Sequence, residues 1–208
     1  MGPMTDTATE GAPLGRRERK KAATRQALAD AALRLFLERG YDKVGIRDIA
    51  EAADVSTTTL FKHFPSKEAL VFDESDDMRA ALLAAVRERP PGRSIPGALR
   101  EHILHTRLLT GRDADPRFAR LARLVDDTPA LREYFRRMWL QHEIDLAAAI
   151  ADEIGAPPAD PGCRALARFA LEARSLGHDS PDPEAAVTRA FDLLEHGWRS
   201  MEKGRGPA

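Results

Sequence analysis

Ile46-Arg47-Asp48-Ile49-Ala50-Glu51-Ala52-Ala53-Asp54-Val55-Ser56-Thr57-Thr58-Thr59-Leu60-Phe61-Lys62-His63-Phe64-Pro65 decides the fold. Ile46, Ile49, Ala50 and Ala53 recur at three- and four-residue spacing, the apolar stripe of a short helix. Ala50 is small, as a residue must be where two helices cross closely. Asp54 falls at the turn, a position that usually needs a positive φ, and Asp tolerates this better than most non-glycine residues. Val55 plugs the turn and Ser56 caps a second helix, in which Leu60 and Phe64 face inward. The spacing predicts helices over 46–53 and 56–63, closed by Pro65. Helix, tight turn and second helix crossing at a small residue form a helix-turn-helix.

The outward side of the second helix carries the chemistry. Thr57, Thr58 and Thr59 sit at its N-terminal end, which recognition helices present to base edges. A threonine hydroxyl bonds either base type, and its methyl packs on a thymine methyl. Phe61, Lys62 and His63 follow on the exposed side, where a backbone phosphate would lie. Ser66 caps the next helix and Lys67 stands in its first turn, available to a phosphate. Upstream, residues 16–25 hold Arg16, Arg17, Arg19, Lys20, Lys21 and Arg25 against the single acid Glu18, a local net charge of +5. Alone, such a run is usually a solvated helix face, and an isolated helix-turn-helix match is as often two packed helices. Together, the arm and the motif favour double-stranded DNA, with the arm holding phosphate or reaching the minor groove.

Outward from this stretch, strand signals are sparse and Ala, Leu, Arg and Glu dominate, so the expected class is all-α. Capping residues precede proline at Asp115-Pro116, Thr128-Pro129, Asp160-Pro161 and Asp182-Pro183, each an N-cap with proline at the first helical position. Gly40, Gly111, Gly155 and Gly177 mark the ends of preceding helices. The remaining helices are expected over 16–39, 66–89, 95–110, 116–125, 129–154, 161–176 and 183–203. Residues 1–15 read as a disordered tail, 16–65 as the helix-turn-helix domain and 66–208 as a helical domain. The long 66–89 helix would join the two and couple them.

The 208 residues carry a net charge of −1 and are 43% hydrophobic, enough for a packed core. The lone Cys163 excludes an internal disulfide framework and a cysteine metal site, which suits a reducing cytoplasm. No apolar run is long enough to span a membrane.

The motifs resemble those of the tetracycline-repressor (TetR) family. The resemblance covers residues 16–72 and is carried by Arg47-Asp48-Ile49-Ala50, Ala53-Asp54-Val55-Ser56, Leu60-Phe61-Lys62-His63-Phe64 and Ser66-Lys67-Glu68-Ala69-Leu70. It implies an all-helical homodimer, a palindromic operator and a small-molecule ligand that controls DNA affinity. The family commonly has Thr where this chain has Gly45, Gly where it has Asp54, and Tyr where it has Phe61. Gly45 is still able to offer its backbone N–H, whereas Phe61 has no hydroxyl for a phosphate. Arg47 completes the expected DNA-contacting set.

Residues 66–208 carry a net charge of −3, so this part is not built to hold DNA. Val187, Ala190, Phe191, Leu194 and Trp198 form one helical stripe, and Leu166, Phe169, Ala170 and Ala173 another. Periodicity alone leaves an internal core open; the resemblance implies a four-helix dimer interface. His102, Ile103 and Thr106, with Tyr134, Met138, Trp139 and His142, mix apolar and polar groups as ligand pockets do. They would suit a hydrophobic or aromatic ligand, and ordinary core packing is the alternative. An all-helical enzyme is the second class of function. His102, His105, His142, His178 and His196 would have to supply it, but they are scattered, with no HExxH, Glu-x-x-His pair or P-loop. No metal or cofactor is expected. An adaptor protein, the third class, would leave the reading helix and basic arm unexplained. Repression relieved by ligand is the expected mode.

Overall fold

The computed structural model describes residues 15–106, 116–178 and 180–204. The tail expected over 1–15 lies outside them apart from Gly15, as do Gly111 and Asp115. The described residues hold nine α-helices, one 3-10 turn and no strand. The chain divides between Val71 and Phe72 into two compact units.

In the first unit, α1 spans Arg16–Arg39 and buries Leu28, Ala29, Ala31, Ala32, Leu35 and Phe36. It ends at Gly40, whose φ of 87° disfavours any side chain and whose N–H donates to the Phe36 carbonyl at 2.9 Å. Two short helices follow, α2 (Ile46–Ala52) and α3 (Thr57–His63), then a 3-10 turn over Glu68–Leu70. Tyr41, Val44, Ile49, Ala50, Leu60, Phe64, Ala69 and Leu70 complete this core.

In the second unit, α4 (Ser75–Arg87), α5 (Ile95–His105), α6 (Pro116–Asp127), α7 (Pro129–Glu153), α8 (Pro161–His178) and α9 (Pro183–Gly204) follow in order. The core gathers Val86 of α4, Leu99 and Ile103 of α5, Leu146 and Ile150 of α7, Ala167 and Ala170 of α8, and Val187, Phe191 and Trp198 of α9. Asp160 caps α8 by accepting from the Cys163 N–H at 2.9 Å, and Asp182 caps α9 by accepting from the Ala185 N–H at 3.1 Å. Thr128 makes no such bond at the start of α7 and is itself buried, so proline alone marks that boundary.

The continuous 66–89 helix expected from the sequence is broken, and the seam falls after Val71 rather than before Ser66. Ser66 accepts from the Ala69 N–H at 3.3 Å, starting only a 3-10 turn. Leu70 belongs to the first core, whereas Phe72 stacks on Tyr134 with ring centroids 5.5 Å apart. One straight helix does not serve two cores through residues two positions apart, so the chain turns at Phe72 and α4 begins at Ser75. The acidic start Asp76-Asp77 is the sequence signal for this later beginning. The helix expected to couple the two parts is therefore not a continuous rod.

Candidate functional site

The turn between α2 and α3 is built from backbone hydrogen bonds. Asp54 has φ 52°, as its place in the turn predicts. Its N–H donates to the Glu51 carbonyl at 3.0 Å, and the Val55 N–H reaches back to the Ala50 carbonyl at 2.9 Å. This bond pair is a Schellman motif, which ends α2 and reverses the chain direction at once. Ser56 then caps α3, its Oγ accepting from the Thr59 N–H at 3.1 Å. Leu60 and Phe64 anchor α3 inward with no exposed surface. Thr58, Phe61 and Lys62 are exposed on the opposite side, and Thr57 is partly so.

Other predicted contact residues occupy varied places. Arg16, Arg17, Lys20 and Lys21 are exposed on the first two turns of α1, and Arg47 is exposed on α2. Arg25 runs across to the end of α3, donating to the His63 carbonyl at 2.9 Å and lying 4.4 Å from the Phe64 ring centroid. Burial, with the positive charges of Arg25 and then Lys21, holds the His63 imidazole below its ordinary pKa of 6.5.

Three of the expected contact residues are engaged within the chain. Lys67 Nζ donates to the Tyr41 carbonyl at 2.6 Å and sits over the Tyr41 and Phe36 rings. The Gly45 N–H is already given to the Asp48 carboxylate at 2.7 Å, closing the first turn of α2. Thr59 shares its hydroxyl with Ser56 Oγ at 2.9 Å, so both residues are occupied in the cap.

In the second unit the expected ligand-binding residues separate into two hollows. His102, Ile103, Thr106 and Trp139 surround an apolar void of about 10 Å³ together with Met78, Leu82 and Leu171. Tyr134, Met138 and His142 line an open cleft of about 650 Å³ between α4 and α7, with Asp76, Arg79, Arg137 and Asp145 among its walls. Arg79 donates to Asp145 at 3.0 Å across that cleft. Trp139 and His142 touch, ring centroids 5.6 Å apart, so this pair stands between void and cleft. His142 is buried rather than superficial. Phe72, Tyr134, Phe135 and Trp139 form a run of ring contacts along α7 that sequence spacing did not reveal, because Phe72 lies far away in the chain. Burial lowers the His102 pKa below 6.5. The described residues contain no cluster of His, Cys, Asp or Glu able to hold a metal, and no described helix is long and apolar enough to cross a membrane.

The expected interface stripes of α8 and α9 are largely the chain's own core. Leu166, Ala173, Val187, Phe191 and Trp198 are buried within the single chain, and Ala190 and Leu194 pack partly against them. Exposed apolar groups border these buried stripes: Phe169 at 56% and Leu176 at 52% on α8, and Leu193 at 78% on α9. Only Phe169 of the expected set is fully outward.

A helix-turn-helix unit with an outward recognition helix, joined to a larger all-helical unit, defines a class of two-part DNA-binding folds. Residues 28–73, which hold the helix-turn-helix, match the model described as bacterial regulatory proteins, tetR family. It is 39% identical over 143 residues to the HTH-type transcriptional regulator TcmR of Streptomyces glaucescens, covering 64% of this chain and 63% of that protein. It is 32% identical over 137 residues to the HTH-type transcriptional repressor Rv1474c of Mycobacterium tuberculosis, covering 64% of this chain and 65% of that one. The matches thus span just under two thirds of these relatives' length. A solved TetR-family regulator of Streptomyces coelicolor shares the fold, with TM-score 0.60 at 21% identity over 90% of this chain and 98% of that one.

Proposed function

We propose that this chain is a transcriptional regulator rather than an enzyme. In this reading it binds a palindromic operator as a homodimer in the cytoplasm and is a repressor released by a small hydrophobic or aromatic ligand. The observation that carries the reading is the outward face of α3. Thr58, Phe61 and Lys62 stand in solvent on a helix whose other side is anchored by Leu60 and Phe64, in a unit whose α1 starts with exposed cations. The exposed Phe169, Leu176 and Leu193, rather than the buried stripes, supply the apolar surface for a symmetric partner. The aromatic run beside Trp139 supports an aromatic ligand approached through the cleft.

The test is selection from a random duplex library, then affinity measurement across a salt series. The expected result is one enriched palindrome, a steep salt dependence and a large preference over random duplex. Thr58→Ala relaxes base preference, whereas Lys62→Ala weakens all duplexes alike and lowers the salt slope by about one. Equal, uniform losses from both variants refute the assigned roles, and no enriched sequence refutes the regulator.

A further inference from the structure

The recognition helix reads Thr57-Thr58-Thr59-Leu60-Phe61-Lys62-His63 and contains no Arg, Asn or Gln. Those are the side chains that identify guanine or adenine through paired hydrogen bonds. Thr59 is engaged with Ser56 through both its N–H and its hydroxyl, and Leu60 is buried. Lys62 and His63 fall in the last turn, where Arg25 and Lys21 gather positive charge suited to phosphate. Thr57 and Thr58 are left for base edges, together with Phe61, which shares the last turn but has no group to bond the phosphate expected beside it.

Phe61 is 53% exposed. It follows Thr58 by three residues, so the Phe61 ring and the Thr58 methyl are neighbours on one helix face. An outward aromatic ring beside a threonine methyl is an apolar reader. The apolar mark that the major groove offers it is the thymine C5-methyl group. The exposed cations Arg16, Arg17, Lys20, Lys21 and Arg47 of the same unit match a duplex rather than an apolar protein partner.

We propose that Phe61 reads a thymine methyl in each operator half-site, with the Thr58 methyl beside it. The contacted position is then an A·T pair with thymine facing α3, and specificity at that point comes from apolar contact in place of a hydrogen bond. This assignment rests on the operator-binding reading above.

The experiment uses the full chain and its selected duplex, with each thymine replaced singly by deoxyuridine, which removes only the methyl. Wild type is expected to lose roughly fivefold in affinity at one symmetric pair of positions, the scale of one buried methyl. Phe61→Ala binds the parent duplex more weakly and shows less than a twofold further loss at those uracils, while Phe61→Tyr retains the uracil penalty. Because Phe61 is exposed, an unchanged circular-dichroism melt checks that the variants fold. Tight wild-type binding that ignores every uracil overturns the Phe61 assignment alone, as does an equal uracil penalty in Phe61→Ala. Failure of wild type to select any duplex overturns the operator reading and this assignment with it.

Discussion

Lys67 closes over Tyr41: its Nζ donates to the Tyr41 carbonyl at 2.6 Å and lies 3.9 Å from the ring centroid, while the Tyr41 hydroxyl donates to Glu68 at 2.9 Å. The clasp ties the 3-10 turn to the segment after α1. Lys67→Ala is therefore expected to destabilise the first unit by about 1–2 kcal/mol, from a lost cation–π contact and a charged hydrogen bond. Urea unfolding measures this. The salt slope of DNA binding should stay constant; a slope lowered by about one would put Lys67 on a phosphate after all.

Asp54 holds a left-handed backbone at φ 52° without being glycine. That conformation disfavours an L-residue by roughly 1 kcal/mol, less for Asp than for others. Asp54→Gly should raise the urea midpoint by the equivalent of about 0.5 kcal/mol, and Asp54→Val should lower it by about 1 kcal/mol or more. Equal midpoints in all three proteins would show that the turn stores no strain.

Phe169 is 56% exposed on α8, whereas Phe191 on α9 is buried. Phe169→Glu should shift the chain from dimer to monomer in sedimentation equilibrium while leaving its helical content intact. Phe191→Ala should instead lower stability by about 3–5 kcal/mol, as cavities in packed cores do. A Phe169→Glu protein that remains dimeric would remove this face from the interface.

His102 is held below its ordinary pKa of 6.5 by burial, and His63 by burial and then by Arg25 and Lys21. For both, the unfolded chain binds a proton more readily than the folded one. Stability is then full above pH 6.5 and declines as pH falls from 6.5 towards the folded-state values. Urea unfolding at about pH 7.5 and about pH 5.5 should show this decline, and His102→Gln combined with His63→Gln should flatten it. A slope unchanged in the double variant would assign the loss to other groups.

Where the sequence succeeded, the signals were local. Asp54 and Ser56 announced the turn because a left-handed residue and a helix cap depend on backbone atoms only a few positions away. The proline-marked starts at Pro129, Pro161 and Pro183 are equally local. The outward face of α3 was legible too, since Leu60 and Phe64 at four-residue spacing leave one side for solvent.

By itself, then, the sequence determined the all-helical class, the proline-marked helix starts, the turn between α2 and α3 and the side of α3 that faces outward, because each follows from atoms adjacent in the chain. Tertiary structure decided what Lys67 holds, which face of α8 and α9 is buried, and how the residues expected to bind a ligand divide between a void and a cleft. Those outcomes depend on partners such as Tyr41, Leu99 and Phe72, brought in from distant positions, and a helical period states that a face is apolar without stating what covers it.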